Sequence, residues 1–421
     1  MHSTDTLIIG GGQAGLALSR CLDDRGHDHV VLERGRIAER WHSERWDSLR
    51  LLTPNWMTRL PGHAYAGGDP DGFMTAPGVA RLLTQYATSF RAPVLEHTVV
   101  DRVRADDRGF VVDTDGGTFR SRNVVVATGW CDRPAVPPAA RLFAPRLHQI
   151  TPDAYRSPAG LPDGGVLVVG ASATGVQLAH ELHQSGRPVT LAVGSHRRLP
   201  RRYRGMDSCW WLDQMGAFDR TIDEVADLAA ARAEPSLQLV GRVDHASLDL
   251  STLQAAGVRL VGRVTGIEAD TVELADDLEV TIGRADAQLA RLLDRIDRHI
   301  AWARLGSEML PREPIATADP RGAPASIDLR HERIGSVLWA TGHRRDYHWL
   351  DLPVLDARGE IRQRRGVTPV AGAYVLGQRF QHHRNSSFID GVGRDAQYVA
   401  EHICARTASP DARPSSTSRE N

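Results

Sequence analysis

The 421-residue chain sets 51 Lys+Arg against 52 Asp+Glu, a formal charge of −1, with 41% hydrophobic residues. Two or three ordinary domains are expected, and the balanced charge offers no long-range field to attract a nucleic acid. Every cation among the 51 is arginine, which excludes a lysine Schiff base and a Walker-type phosphate loop.

The chain opens on a polar Met1 to Thr6 segment leading into an apolar β-branched run, Thr6-Leu7-Ile8-Ile9. That run meets Gly10-Gly11-Gly12-Gln13-Ala14-Gly15, then the helical pattern Leu16 to Leu22, then a second strand, His29 to Leu32, ending at Glu33. A G-x-G-x-x-G turn between strand and helix binds a dinucleotide pyrophosphate: Gly10 makes the turn, Gly12 admits the phosphates, and Gly15 lets the helix pack close. The helix N-terminus adds free N–H groups and partial positive charge. Glu33 stands 18 residues beyond Gly15, where an acid takes ribose hydroxyls.

The unit recurs. Val166 to Val169 runs into Gly170-Ala171-Ser172-Ala173-Thr174-Gly175, a helical stretch Val176 to Leu182, and the strand Val189 to Val193. After that strand comes no acid but Gly194-Ser195-His196-Arg197-Arg198. Arginines pair with a 2′-phosphate that an acid repels, so the second unit is expected to take NADPH, with Ser195, Arg197 and Arg198 at the phosphate. Two further strands end in Ala-Thr-Gly, at Ala127-Thr128-Gly129 and at Ala340-Thr341-Gly342, each where the chain leaves one domain for the other. The expected fold is α/β, with two Rossmann-like dinucleotide domains, the second inserted in the first. The expected boundaries are residues 1–160 and 336–405 for the outer domain and 161–335 for the inner.

Within the inner domain, residues 207–310 read as an insertion. It contains an amphipathic helix at Ile222–Ala233, strands at Val258–Val264 and Thr271–Leu274, and a long helix at Ala285–Ala303. No chemistry is assigned to it; its apolar stripes are expected in the core or at a homodimer contact. A Ser-, Pro- and Arg-rich tail, residues 406–421, is expected to be disordered. The four cysteines form no C-x-x-C pair, and no apolar run spans a bilayer, so a reducing, cytoplasmic location is expected, without membrane attachment.

With these units in place, the chain resembles the class B flavoprotein monooxygenases: flavin-containing monooxygenases, plant indole-pyruvate monooxygenases and Baeyer–Villiger enzymes. Trp46 to Leu51 followed by Pro54 and Leu60-Pro61, and Ala373 to Gly377 followed by Ser386-Ser387-Phe388 and Gly391-Val392-Gly393, carry the likeness beyond the glycine turns. The family's Phe, Gly and His between the two units fall on Leu142, Ala144 and His148, with Tyr155 displaced. Its flavin-side Asn falls on Leu52, beside Asn55.

The resemblance implies FAD in the first unit, held by Gly10, Gly12, Gln13, Ala14, Gly15, Glu33, Arg34, Trp41, Trp46, Leu52, Val100, Ala127, Thr128, Gly129, Gly377 and Ser387. It implies NADPH in the second, held by Gly170, Ser172, Ala173, Thr174, Gly175, Ser195, Arg197, Arg198, Ala340, Thr341 and Gly342. It further implies hydride transfer from NADPH to FAD, oxygen addition at flavin C4a, and transfer of one oxygen atom from the C4a-(hydro)peroxide to a small organic substrate. Candidate catalytic residues are His148 (equally a linker packing the two domains), Asn55 and Arg379, and Trp210-Trp211 is either a pocket wall or a buried structural pair. No metal is expected, because His382-His383 has no third ligand at a recognisable spacing. The alternative is an NAD(P)H-dependent FAD reductase serving a protein or quinone; the Trp- and Leu-rich segment 41–60 favours the oxygenase.

Overall fold

The computed structural model describes residues 2–408. Two parallel-centred sheets, each carrying one glycine turn, divide the chain. The first has eight strands. At its centre His2–Ile9 lies parallel to His29–Leu32 on one side and to Gly117–Val126 on the other. Gly117–Val126 also closes an antiparallel ribbon with Val100–Asp106 and Gly109–Thr114, and its far end pairs in parallel with Ala373–Val375. Val124, Val125 and Val126 are buried, as a strand covered on both faces requires. The helix Gln13–Asp23 covers one face, turning Ala14, Leu18, Cys21 and Leu22 into the same core as Val392, Ala396, Val399 and Ile403 of the last helix, Val392–Ala408.

The second sheet has five parallel strands in the order His148–Ile150, Ile334–Trp339, Gly165–Val169, Val189–Ala192 and Arg259–Val261. It therefore begins before residue 161 and runs past residue 335, so both inner-domain boundaries move outward. The chain crosses between sheets at residues 127–147 and again after Trp339. There Arg133–Pro134 and His343–Arg344 pair antiparallel, so the two crossings are bonded to each other. Ala135 N–H donates to the Gly342 carbonyl at 2.9 Å, and the Thr341 hydroxyl to the Ala135 carbonyl at 2.8 Å.

The insertion departs from its sequence reading in three places. Ile222–Ala233 is no single helix but a 3₁₀ turn, Ile222–Glu224, and a short helix, Leu228–Ala233, with no buried residue. Asp227 caps the second piece and so starts a new helix where continuation was expected. The strand read at Val258–Val264 is two, Arg259–Val261 in the main sheet and Val264–Glu268 in a separate antiparallel sheet with Thr271–Leu274 and Ser326–Asp328. The long helix begins earlier, at Leu278, and runs to Ala303; Leu278, Ile282, Ala285, Leu289, Leu293, Ile296 and Ile300 form its buried stripe at spacings of three and four. The tail reading needs correcting at its start, because Arg406 to Ala408 continue the last helix; residues 409–421 lie outside the described residues. Among the described residues no helix is long and apolar enough to cross a membrane.

Candidate functional site

Both glycine turns share one geometry. Gly10 has φ +116°, and a Cβ on it would stand 2.6 Å from the Ala127 carbonyl oxygen. Gly170 has φ +107° and presses in the same way on Ala340. Cβ atoms on Gly15 and Gly175 would collide with the carbonyls of Gly10 and Gly170. The Ala-Thr-Gly strands are thus the surfaces against which the two turns are folded, and neither glycine pair tolerates a side chain. Gly12, by contrast, would meet nothing within 4 Å. Neither helix following a turn has a side-chain cap, so the first N–H groups of both are free for an anion.

The first turn opens on a chamber of about 840 Å³. Every residue assigned to FAD lines it except Gly15, which lies behind the turn, and Trp46, which is buried in the core under the second glycine turn's helix. Glu33, almost fully buried, accepts the N–H of Gly11 at 2.6 Å and of Gly35 at 3.0 Å, which fixes its carboxylate beside the turn. Open space at Gly12, uncapped helix N–H groups and an anchored acid fit an adenine dinucleotide there.

The second turn does not open on the chamber. Gln238 of the insertion, with 1% exposure, donates to the Ala171 carbonyl at 2.6 Å and covers the turn. Gly170, Ser172, Ala173, Thr174, Gly175, Ser195, Ala340, Thr341 and Gly342 all stand away from the chamber wall, and only Arg197 of the second set lines it. The cradle itself matches the first and fits a pyrophosphate; the phosphate arginines are a different matter. Arg198 is buried between Asp249 and Asp286 and also donates to the Ala316 carbonyl, so both terminal nitrogens of its guanidinium are engaged by the protein itself, against its expected place at a 2′-phosphate. Arg197 shares the Glu234 carboxylate with Arg384.

Arg379 lines the chamber; His148 and Asn55 do not. His148 sits in the second sheet's edge strand, and Asn55 is held behind the wall by the Asp69 carbonyl at 2.9 Å. Leu52, where the family's Asn was expected, is at the wall instead. Trp210 and Trp211 make an edge-on pair in the insertion's core, with Trp211 Nε1 donating to the Tyr203 carbonyl at 2.8 Å. They support the fold and miss the chamber.

Residues that the sequence assigned to no chemistry complete the wall. Leu212, Phe218, Leu237, Leu239 and Arg295 come from the insertion, which is thereby part of the site. Arg379 lies 4.9 Å over the Trp130 ring and donates to the Glu234 carbonyl oxygen. Three guanidiniums (Arg197, Arg379, Arg384) thus gather around a single acidic residue. Burial, and then the neighbouring Arg384, holds Arg379 below the ordinary arginine range.

A second unforeseen group sits on the wall at Cys131. His343 Nε2 stands 3.0 Å from Asp153 Oδ1, and the Cys131 thiol is the other group that favours the charged ring. Burial works against the charged ring, but these groups prevail and push His343 up to about 9. The signal in the sequence was present: Cys131 and His343 each follow an Ala-Thr-Gly end by one or two residues. All four cysteines are free thiols. His382 and His383, set aside for want of a third partner, have Asp395 beside them in the fold.

The comparisons agree with this architecture. The family model described as pyridine nucleotide-disulphide oxidoreductase matches residues 7–208. An uncharacterized CzcO-like oxidoreductase of Geobacillus kaustophilus is 31% identical over 406 residues, 96% of this chain and 99% of that protein. A probable indole-3-pyruvate monooxygenase of Arabidopsis thaliana is 31% identical over 214 residues, 48% of this chain and 50% of that one. A flavin-containing monooxygenase from Stenotrophomonas maltophilia shares the fold, with TM-score 0.67 and 19% identity over 97% of this chain and 100% of that one. The chain belongs to the CzcO-like oxidoreductases.

Proposed function

We propose that the chain is an NADPH-dependent monooxygenase that places one oxygen atom from O₂ on a small organic substrate, by N- or S-oxygenation in preference to Baeyer–Villiger insertion. The supporting observation is the chamber. It begins at the first glycine turn and its lining includes the apolar side chains Leu51, Leu52, Phe380, Leu212, Phe218 and Leu239. Among the charged residues of the lining these side chains form the apolar part of the chamber, and an apolar surround is what an oxygen-transferring site requires and a reductase meeting an external carrier does not.

Bound at the first turn, FAD supplies two-electron acceptance from NADPH and the activation of O₂. The protein's own tasks follow from its geometry. Gly12 and the free N–H groups of the helix Gln13–Asp23 hold the pyrophosphate, and Glu33 orients the ribose. Trp41, Leu52 and Phe218 keep the reacting region dry. Arg379, stacked on Trp130 and in excess over the local acids, holds an anionic portion of the substrate. His343 keeps a proton at neutral pH beside the Cys131 thiol, fixed in orientation by Asp153.

The test is isotopic. Oxygenated product formed from an aryl alkyl sulfide or tertiary amine under ¹⁸O₂ should carry the label, with NADPH and O₂ consumed in equal amounts. A cyclic ketone converted in preference to both would select Baeyer–Villiger insertion. Undiminished NADPH turnover without O₂, given a quinone acceptor, would select the reductase.

A further inference from the structure

We propose that His382, His383 and Asp395 form a binding site for a divalent transition-metal ion, zinc(II) or an ion of similar coordination chemistry. The three side chains offer two imidazole nitrogens and a carboxylate oxygen, all within 4.8 Å of one another. His383 Nδ1 and Asp395 Oδ1 are 3.8 Å apart. That is too long for a hydrogen bond and suits two ligands of one ion, which stand about 3–4 Å apart when each is roughly 2.1 Å from the metal.

The second observation is what these atoms lack. Asp395 has a side chain only 2% exposed, and its Oδ2 has no hydrogen-bond partner among the described residues. His383 Nδ1 is likewise buried and unpartnered. A buried carboxylate without a donor is costly, and buried charges are ordinarily paired or bound to a metal. Two neutral imidazoles and a carboxylate leave an open position on a divalent ion, a donor set suited to zinc and to neighbouring first-row metals.

The backbone holds the three groups in place. The Ser386 hydroxyl accepts both the His382 and His383 N–H groups, at 3.1 and 2.9 Å, so the loop is turned on itself. The two rings lie 4.1 Å apart and edge-on. Ile222 N–H of the insertion donates to the His382 carbonyl at 2.9 Å. Asp395 belongs to the first turn of the last helix. An ion here would join two segments, the loop after Gly377 and the last helix, beside the backbone bond that already ties the loop to the insertion. Neither histidine faces the chamber, whereas Phe380 before them and Arg384 and Ser387 after them do. The ion's role is therefore to fix the chamber wall, and it touches no reacting atom.

The experiment uses the full-length flavoprotein, treated with chelator and titrated with cobalt(II) and with zinc(II). Wild type should take up one equivalent of either, and cobalt should give visible bands at longer wavelength than the flavin. X-ray absorption at the metal edge should report imidazole ligands. His383→Asn and Asp395→Asn should each weaken binding at least about tenfold while retaining flavin and circular dichroism. Failure of wild type to take up stoichiometric metal overturns the proposal. So does a coordination shell without imidazole, or variant binding equal to wild type. If both variants unfold, the wild-type stoichiometry and metal-edge spectrum decide alone.

Discussion

Gln238 covers the second glycine turn by donating its side-chain amide to the Ala171 carbonyl, 2.6 Å away, with both residues buried. It does so because Arg197–Arg198 pairs in parallel with Leu237–Gln238, Arg198 opposite Gln238. The segment read from sequence as a coenzyme ligand thus also carries the cover of the coenzyme turn. If binding must displace that amide, Gln238→Ala removes a bond worth about 0.5–1.5 kcal/mol. KM for NADPH and NADH should then fall together, by about twofold to twelvefold. A rise in both would make the amide a coenzyme contact.

The glycines of the first turn separate folding from binding. Gly15→Ala places a Cβ against the Gly10 carbonyl and should yield little folded protein. Gly12→Ala meets nothing within 4 Å, so it should fold normally and lose FAD. Flavin content of purified protein, set beside circular dichroism, checks both. Full flavin retention by Gly12→Ala would contradict the placement of the pyrophosphate.

Adjacent arginines should behave differently. Arg198→Ala leaves Asp249 and Asp286 facing an empty buried site, and loss of one partner of a buried pair costs about 3–5 kcal/mol. The expected result is a large drop in melting temperature. Arg197→Ala, at the chamber wall, should raise KM for NADPH about tenfold and leave NADH nearly unchanged. Equal effects on both coenzymes would remove Arg197 from the 2′-phosphate as well.

Excess positive charge around Glu234 predicts a substrate preference. Among otherwise matched substrates, one bearing a carboxylate should show a KM about tenfold below its neutral analogue. Arg379→Ala should abolish that difference while leaving the neutral substrate's kcat within about twofold. Persistence of the preference in the variant would assign it elsewhere.

His343 should make stability depend on pH. Its folded value, about 9, lies above the roughly 6.5 of an unperturbed histidine. The stabilisation is therefore complete below about pH 6.5 and lost as pH rises through 9, with a magnitude on the order of 1–3 kcal/mol. Melting temperature measured across that range should fall in wild type and stay flatter in Asp153→Asn. Parallel profiles would show that Asp153 does not hold the proton.

Both nucleotide units were legible in the sequence because each is a local pattern: a buried strand, a tight turn and a helix within some thirty residues. The first cradle's acid, Glu33, stands where its spacing put it. What the sequence could not show is that the second unit's arginines have acidic partners in the fold, since Asp249, Asp286 and Glu234 are 37 to 88 residues distant in sequence. The inserted segment's share in the chamber was equally invisible. Leu212 and Phe218 carry no motif, and only tertiary packing brings Leu52 against their cluster. Ile222–Ala233 failed for a local reason, since an apolar periodicity outweighed the helix-starting cap at Asp227.

Because Arg133–Pro134 and His343–Arg344 are bonded as a ribbon, the two halves of the molecule are joined by a double strap instead of two independent tethers. A shear that slid one half past the other would have to break both strands of that strap together. His343 is itself one residue of that strap and Cys131 stands two positions before it, so a substitution at either is felt at both crossings.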